Sequence, residues 1–302
     1  MRRVSLRERV AEHDIVVAVG AYDPFTALIA QRSGVEAVFL GGYSLAAHVH
    51  GLPDIGFIGL SDVLEVLERI TATSSIPVIV DADTAYGAEP AVRRTVARLE
   101  RAGAAGIQIE DQVSPKRCGF MDGKRVIPKE EMVAKVRAAV EARTNDDLLL
   151  LARTDALAVT GIEDAIERVE AYAQAGADLV VVDAVSSREQ IELLARRVKA
   201  PKMAPMPPTR GDMPTVAELR DLGYRMVVFP STQASWLVAR AYGALCEEIV
   251  RSGTTGSLLA DFVDFEELHA ITDRAGWEAA VTGSHFEPPG RRPIAAADGA
   301  PR

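Results

Sequence analysis

The chain has little cysteine, no excess of positive charge and no long hydrophobic run, and each shortage removes a class of protein. Two cysteines in 302 residues, Cys118 and Cys246, cannot form a disulfide framework. Each thiol is therefore read alone, and a reducing cytoplasm is the expected setting. The 34 Lys and Arg are outnumbered by 43 Asp and Glu, for a net charge of -9. No broad cationic field exists to collect a nucleic-acid backbone, so nucleic acid is not an expected partner. No apolar run reaches the roughly 18 to 20 residues of a membrane span, so no membrane association is expected. Met1, Arg2 and Arg3 lead into Glu8, Arg9, Glu12 and Asp14 rather than an apolar stretch, which argues against a secretory leader. An anionic small molecule would need local help, from a metal or from individually placed Lys and Arg.

What is present is an alternation. Short β-branched or apolar runs separate longer stretches with three- and four-residue apolar spacing, the pattern of repeated βα units around a parallel sheet. Eight strands are predicted: Ile15 to Gly20, Ala37 to Leu40, Pro77 to Asp81, Gly106 to Glu110, Leu148 to Thr154, Leu179 to Asp183, Lys202 to Ala204 and Met226 to Phe229. Eight favours a closed TIM (β/α)8 barrel over an open doubly wound sheet. Val63, Val66, Leu67 and Ile70 form one helical stripe, and Val92, Val96 and Leu99 another. Ala102-Gly103, Ala175-Gly176 and Leu222-Gly223 each close an amphipathic run. Ser231 to Val250 reads as a long helix, and Phe262 to Val281 adds helical pattern that a bare barrel does not require. One domain over residues 1–286 is expected, with 287–302, rich in Pro, Gly and Ala, as a mobile tail.

Reactive groups of such a barrel gather where strands end at their carboxyl side. The third strand ends in Asp81-Ala82-Asp83, whose alternation would put both carboxylates on one side and offer a hard cation two oxygen ligands. Glu110, in Glu110-Asp111-Gln112 after the fourth strand, either supports that cation through water or forms a salt bridge across the barrel top. Ser114 to Arg125 holds four cations and two glycines and reads as a lid. Those cations are expected to lower the Cys118 thiol pKa, whereas Cys246 sits in a helical run. Arg153, in Ala152-Arg153-Thr154-Asp155, either grips a substrate carboxylate or neutralises the acidic cluster. Gly41, Gly42 and Tyr43 follow the second strand and leave backbone amides free to approach an anion. His48 and His50 have no ligand spacing and are assigned to packing or surface.

Taken in order, Gly51-Leu52-Pro53-Asp54, Asp81-Ala82-Asp83-Thr84-Ala85-Tyr86-Gly87, Glu110-Asp111-Gln112, Pro115-Lys116-Arg117-Cys118-Gly119 and Ala152-Arg153-Thr154-Asp155 resemble the isocitrate lyase and phosphoenolpyruvate mutase superfamily, nearest its short-chain methylisocitrate lyase-like and dimethylmalate lyase-like branch. The resemblance spans about residues 5 to 250. It implies Mg2+ or Mn2+ at Asp81, Asp83 and Glu110, substrate contacts from Gly41, Gly42, Tyr43, Arg153 and Asp183, and catalytic roles for Lys116, Cys118 and Arg153, with the cysteine moving a proton at a carbanionic carbon. It further implies a homo-oligomer, a dimer of dimers with a swapped terminal helix.

The implied reaction is metal-dependent carbon-carbon cleavage or decarboxylation of a small 2-hydroxy or 2-oxo dicarboxylate. The chain departs from the pattern at Phe120, where the lyases carry histidine, at Asp183, where Glu is usual, and at Pro205, where Asn is usual. Two other readings follow: a phosphonate-handling mutase or hydrolase, and a barrel that binds a dicarboxylate without turning it over.

Overall fold

The computed structural model describes residues 5–12, 15–206 and 212–281; the expected tail at 287–302 lies outside them. Eight parallel strands close on themselves in chain order: β1 (Val16–Ala21), β2 (Ala37–Leu40), β3 (Val78–Asp81), β4 (Gly106–Glu110), β5 (Leu149–Thr154), β6 (Leu179–Val182), β7 (Lys202–Pro205) and β8 (Met226–Phe229). The barrel closes through β1 on β8, with Val16 beside Met226 and Val19 beside Phe229. Every strand matches its prediction to within a residue or so. The period-2 pleat explains why continuous apolar runs fit here: alternate side chains face inward and outward, and both faces are covered.

Inside the barrel, Val16, Ala18, Ala37, Phe39, Ile79, Leu149, Leu151, Leu179, Val181, Met203, Met226 and Val228 form one buried cluster. Leu6, from the Leu6–Glu12 helix, joins it and closes the amino end. A larger cluster fills the layer between strands and outer helices. It contains the stripes Val63, Val66, Leu67, Ile70 and Val92, Val96, Leu99 that the spacing had indicated. With the amino end plugged, side chains at the carboxyl end are left to form a pocket.

The long helix runs Ser231–Ser252 and stops at Gly253, which takes a left-handed φ of 68°. The single helical pattern read over Phe262 to Val281 is two short helices, Phe265–Ile271 and Arg274–Val281. Asp273 between them sits at φ 51°, which a continuing α-helix cannot contain. The first packs on the Pro24–Arg32 helix of its own chain, where Arg32 donates to the Ala270 carbonyl at 2.9 Å. Among the described residues no helix is long and apolar enough to cross a membrane.

One buried polar cluster ties the outer layer to the strand ends. Asp111, fully buried, accepts from the Thr154 hydroxyl at 2.6 Å, Tyr172 at 2.7 Å, the Asp155 amide at 2.9 Å and Arg168 at 3.2 Å. Burial raises its pKa, and these donors pull the other way. Removing one member of a buried charge network strands its partners at a cost of about 3–5 kcal/mol. Asp111→Ala is therefore expected to lose about that much stability in urea unfolding; a loss below about 1 kcal/mol would contradict the assignment.

Candidate active site

The carboxyl ends of the strands surround a cavity of about 90 Å³. Its wall includes Gly41, Gly42 and Tyr43 after β2, Asp54 from the following loop, Asp81 at the end of β3, Gln108 on β4, Arg153 on β5, Asp183 after β6 and Pro205 on β7, with Lys116, Cys118, Gly119 and Phe120 coming from the predicted lid. The volume suits a small acid rather than the ligands of the ~300–1,000 Å³ pockets that take drug-sized molecules.

The lid is shut, and its cations divide into two kinds. Lys116 and Lys124 are buried, whereas Arg117 and Arg125 are exposed. Lys116 Nζ lies 2.7 Å from Asp54 and 2.8 Å from Asp83. Burial opposes its charge, but Asp83, Glu110, Asp81 and Asp54 together outweigh burial and hold the ammonium well above the ordinary amine range. Lys116 is thus a permanent cation fastening the lid, not a free base. Lys124 donates to the Gly119 carbonyl at 2.6 Å and pairs with Asp155 at 3.0 Å. Gln112 grips the Arg117 backbone from both sides at 2.9 Å, and the bridge between Gln112 and Val126 closes the base of the loop. Glycine is required at one contact, where a Cβ on Gly119 would stand 2.0 Å from Asp183 Oδ2; one on Gly42 would be a tight 3.2 Å from Lys116 Nζ.

Arg153 meets three carboxylates. It donates two bonds to Asp155 at 2.9 Å each and one to Asp183 at 2.6 Å, and stands 3.3 Å from Glu110. Of the two roles open to it, neutralising the acidic cluster is the one seen; it also lines the cavity, so an edge of the guanidinium faces a ligand.

Two expectations need correction. Asp81 and Asp83 do not share a face as strand alternation implied. The strand ends at Asp81, Asp83 turns to a positive φ of 48° and points to Lys116, and of the two only Asp81 lines the cavity. Nor do the cations leave the Cys118 thiol with a net lowering. Burial pushes it up to about 11 and Asp54 adds to the rise, and together they outweigh the opposing pull of the Phe120 backbone amide, Lys116 and Arg153. The folded-state pKa is raised, so the neutral thiol is the stabilised form. Stability from it is complete below the ordinary thiol range and is lost as pH rises toward 11. At pH 8, iodoacetamide is expected to spare Cys118 in the folded protein and label it once the protein is unfolded in urea, as peptide mass spectrometry would read; labelling of folded and unfolded protein at equal rates would contradict this.

The three proposed metal carboxylates are close to one another but form no direct ligand cage: among the described residues, no three His, Cys, Asp or Glu side chains converge on a metal position. Glu110 is 1% exposed, does not line the cavity and leaves Oε1 without a hydrogen-bond partner, as Gln108 leaves its Oε1. Burial drives Glu110 well above the carboxylate range despite Arg153, and drives Asp83 up to about 7 despite Lys116. Charged carboxylates so placed need more positive charge than the protein supplies. An all-oxygen donor set with spare buried acceptors fits a hydrated Mg2+ that takes few protein ligands directly.

A family profile for phosphoenolpyruvate phosphomutase matches residues 6–250. The chain belongs to the phosphoenolpyruvate mutase/isocitrate lyase superfamily. It is 46% identical over 258 residues to a 2-methylisocitrate lyase of Aeropyrum pernix, covering 84% of this chain and 82% of that one. The crystal structure of a 2,3-dimethylmalate lyase superposes with a TM-score of 0.83 at 33% identity, covering 94% of this chain and 97% of the other. A phosphonopyruvate hydrolase in complex with oxalate and Mg++ superposes with a TM-score of 0.83 at 27% identity, over 92% and 97%.

Within this superfamily member, every residue expected at the site except Asp83 and Glu110 reaches the cavity wall, and those two back it. Sequence reasoning missed Asp54, Lys124 and Asp155 as the anchors of the lid. Asp54 stood in a quoted motif without a role, and Lys124 was one cation among four; pairing across the barrel mouth leaves no local mark. Phe120 is on the wall but 56% exposed. His48 stacks on Tyr22 with centroids 3.9 Å apart and bonds Ser235 at 2.9 Å, a packing role as expected.

Proposed function

We propose that this protein is a carbon-carbon lyase for a small 2-hydroxy or 2-oxo dicarboxylate, working with Mg2+ in a reducing cytoplasm. The observation that carries the reading is a buried Cys118 thiol, raised to about 11, on the wall of an acid-sized cavity that also carries Asp54, Asp81, Arg153 and Asp183. The lyase names of its relatives support the same class. Asp81, with Asp83 and Glu110 through water, would hold the metal, which when bound supplies positive charge to an α-oxycarboxylate.

The chain's own groups then have distinct tasks. Lys116 and Lys124 keep the lid shut and water out. Arg153, fixed by Asp155 and Asp183, presents its remaining edge to the substrate carboxylate. For a 2-hydroxy acid, the hydroxyl gives its proton to a carboxylate of the wall as its oxygen closes to a carbonyl, the carbon-carbon bond breaks with its electron pair left on the carbon beside a carboxylate, and Cys118 gives that carbon its proton and regains one from solvent when the lid opens. A thiol near 11 still carries the proton at neutral pH, so the upward shift suits a donor. The test is incubation with Mg2+ and methylisocitrate, dimethylmalate, oxaloacetate or phosphonopyruvate, following products by NMR. Cleavage of a hydroxy or oxo diacid is the expected result. Turnover of phosphonopyruvate alone would replace the reading with phosphonate chemistry.

We also infer that the protein assembles with copies of itself, as a dimer of dimers in which the terminal helices are exchanged. Trp236, Leu237, Tyr242 and Val250 on the Ser231–Ser252 helix are 53%, 69%, 66% and 88% exposed in the single chain; apolar side chains spread over so much of the helix circumference are what a helix embraced by a second subunit would bury. Light scattering after size exclusion is expected to give a mass well above the 32.4 kDa of one chain; a monomer at micromolar concentration would refute it.

A further inference from the structure

The side of the cavity away from Asp81 and Arg153 has no role in the reading above. There the 22-residue helix Ser231–Ser252 begins, and its first two residues line the cavity wall. Its N-cap is Pro230, no side chain caps it, and its first turn holds no acidic residue. The first amides of a helix need acceptors and carry a partial positive charge, so an uncapped start facing a cavity favours an anion. A second observation is independent of the helix. Thr232 is only 4% exposed, yet its Oγ1 has no hydrogen-bond partner. A buried hydroxyl left unpaired is costly, and a ligand acceptor would recover that cost.

The position is fixed. A Cβ on Gly20 of β1 would stand 2.1 Å from Ser231 N, and one on Gly41 would stand 3.1 Å from Ser231 Oγ, so the helix start is wedged between two glycine-bearing segments. β8, which feeds this helix, lies across the closed barrel from β4, flanked by the β3 and β5 ends that carry Asp81 and Arg153. Apolar Val228 and Pro230 line the same cavity. Lys116 and Arg153, for their part, are already occupied by carboxylates.

We propose that the amino end of this helix, with the hydroxyls of Ser231 and Thr232, is the subsite for the substrate's second carboxylate. The inference rests on the assignment of the opposite wall to the reacting 2-oxy or 2-oxo acid. It makes the Ser231-Thr232 pair, rather than a further cation, the feature that selects a diacid over a monoacid.

Lactate and malate test it, because they share the 2-hydroxy acid end and differ by one distal carboxylate. Calorimetry with Mg2+ present is expected to show wild-type protein preferring malate by roughly tenfold or more. The Ser231→Ala/Thr232→Val double variant should lose most of that preference while binding lactate as before, and Thr232→Ser, which keeps the hydroxyl, should retain it. Unchanged lactate affinity also shows that the double variant is folded. A malate preference that survives the double substitution, or no preference in the wild type, overturns the subsite. Failure of the wild type to bind either acid overturns the active-site reading itself, and the subsite with it.

Discussion

Asp81→Asn is expected to reduce metal-dependent turnover by a factor on the order of 10³ while leaving the fold intact, a loss in the range seen when a preorganised electrostatic contact to developing charge is removed. The substitution keeps shape and removes charge. Asp81 is the one member of the acidic trio on the cavity wall, and its Oδ1 already accepts from the Asp83 amide at 3.2 Å and from Gln108 at 3.5 Å. An amide oxygen can keep both bonds, so the local backbone has no reason to move. Asp83→Asn should behave differently. Asp83 meets Lys116 at 2.8 Å, so its loss loosens the lid and is expected to act on KM and on water exclusion as much as on kcat. Titrating Mg2+ by calorimetry alongside steady-state assays separates the two. Asp81→Asn with metal binding and turnover both intact would remove Asp81 from the metal position.

The contrast between Asp81 and Asp83 also shows where reading the sequence stops. Strand positions were legible because a parallel barrel buries both faces of each strand and so writes apolar runs of the right length eight times over. That Asp81, Arg153 and Asp183 meet was legible for the same reason: each ends a strand, and barrel strands end together. Asp83 was misplaced because alternation holds only while the strand continues, and here the strand ends at Asp81 and the chain reaches a positive φ two residues later, at Asp83. Cys118 was misread on a similar ground. Counting cations in its loop said nothing of the burial that outweighs them, nor of the carboxylates of Asp54, Asp83 and Asp155 that pair with Lys116 and Lys124, residues up to 64 positions from Cys118 in the chain, whose approach depends on the lid being shut. The Ser231-Thr232 pair was read only as the start of a helix, because an uncapped terminus has meaning only when its surroundings are known.

Cys118→Ser is expected to lower kcat by about 10²–10⁴, the usual contribution of a positioned proton donor, while ligand and metal affinities hold. The lid gives a reason for that separation. It is held by the side chains of Lys116, Lys124 and Gln112 and by the Cys118 backbone amide, which donates to the Asp54 carbonyl at 3.1 Å; the thiol accepts one bond, from the Phe120 backbone amide, which a serine hydroxyl can also accept. A hydroxyl of similar size therefore sits in the same closed pocket but gives up its proton far less readily. The pH profile adds a second reading. A donor must be protonated to act, so with the folded-state pKa raised to about 11, wild-type activity should persist through pH 9 and fall as pH approaches 11. In Cys118→Ser that alkaline limb should vanish along with the rate. A variant that keeps full kcat, or a wild-type limb near pH 8 that survives the substitution, would assign the proton to another group, and Tyr43 on the same wall would be the next to replace.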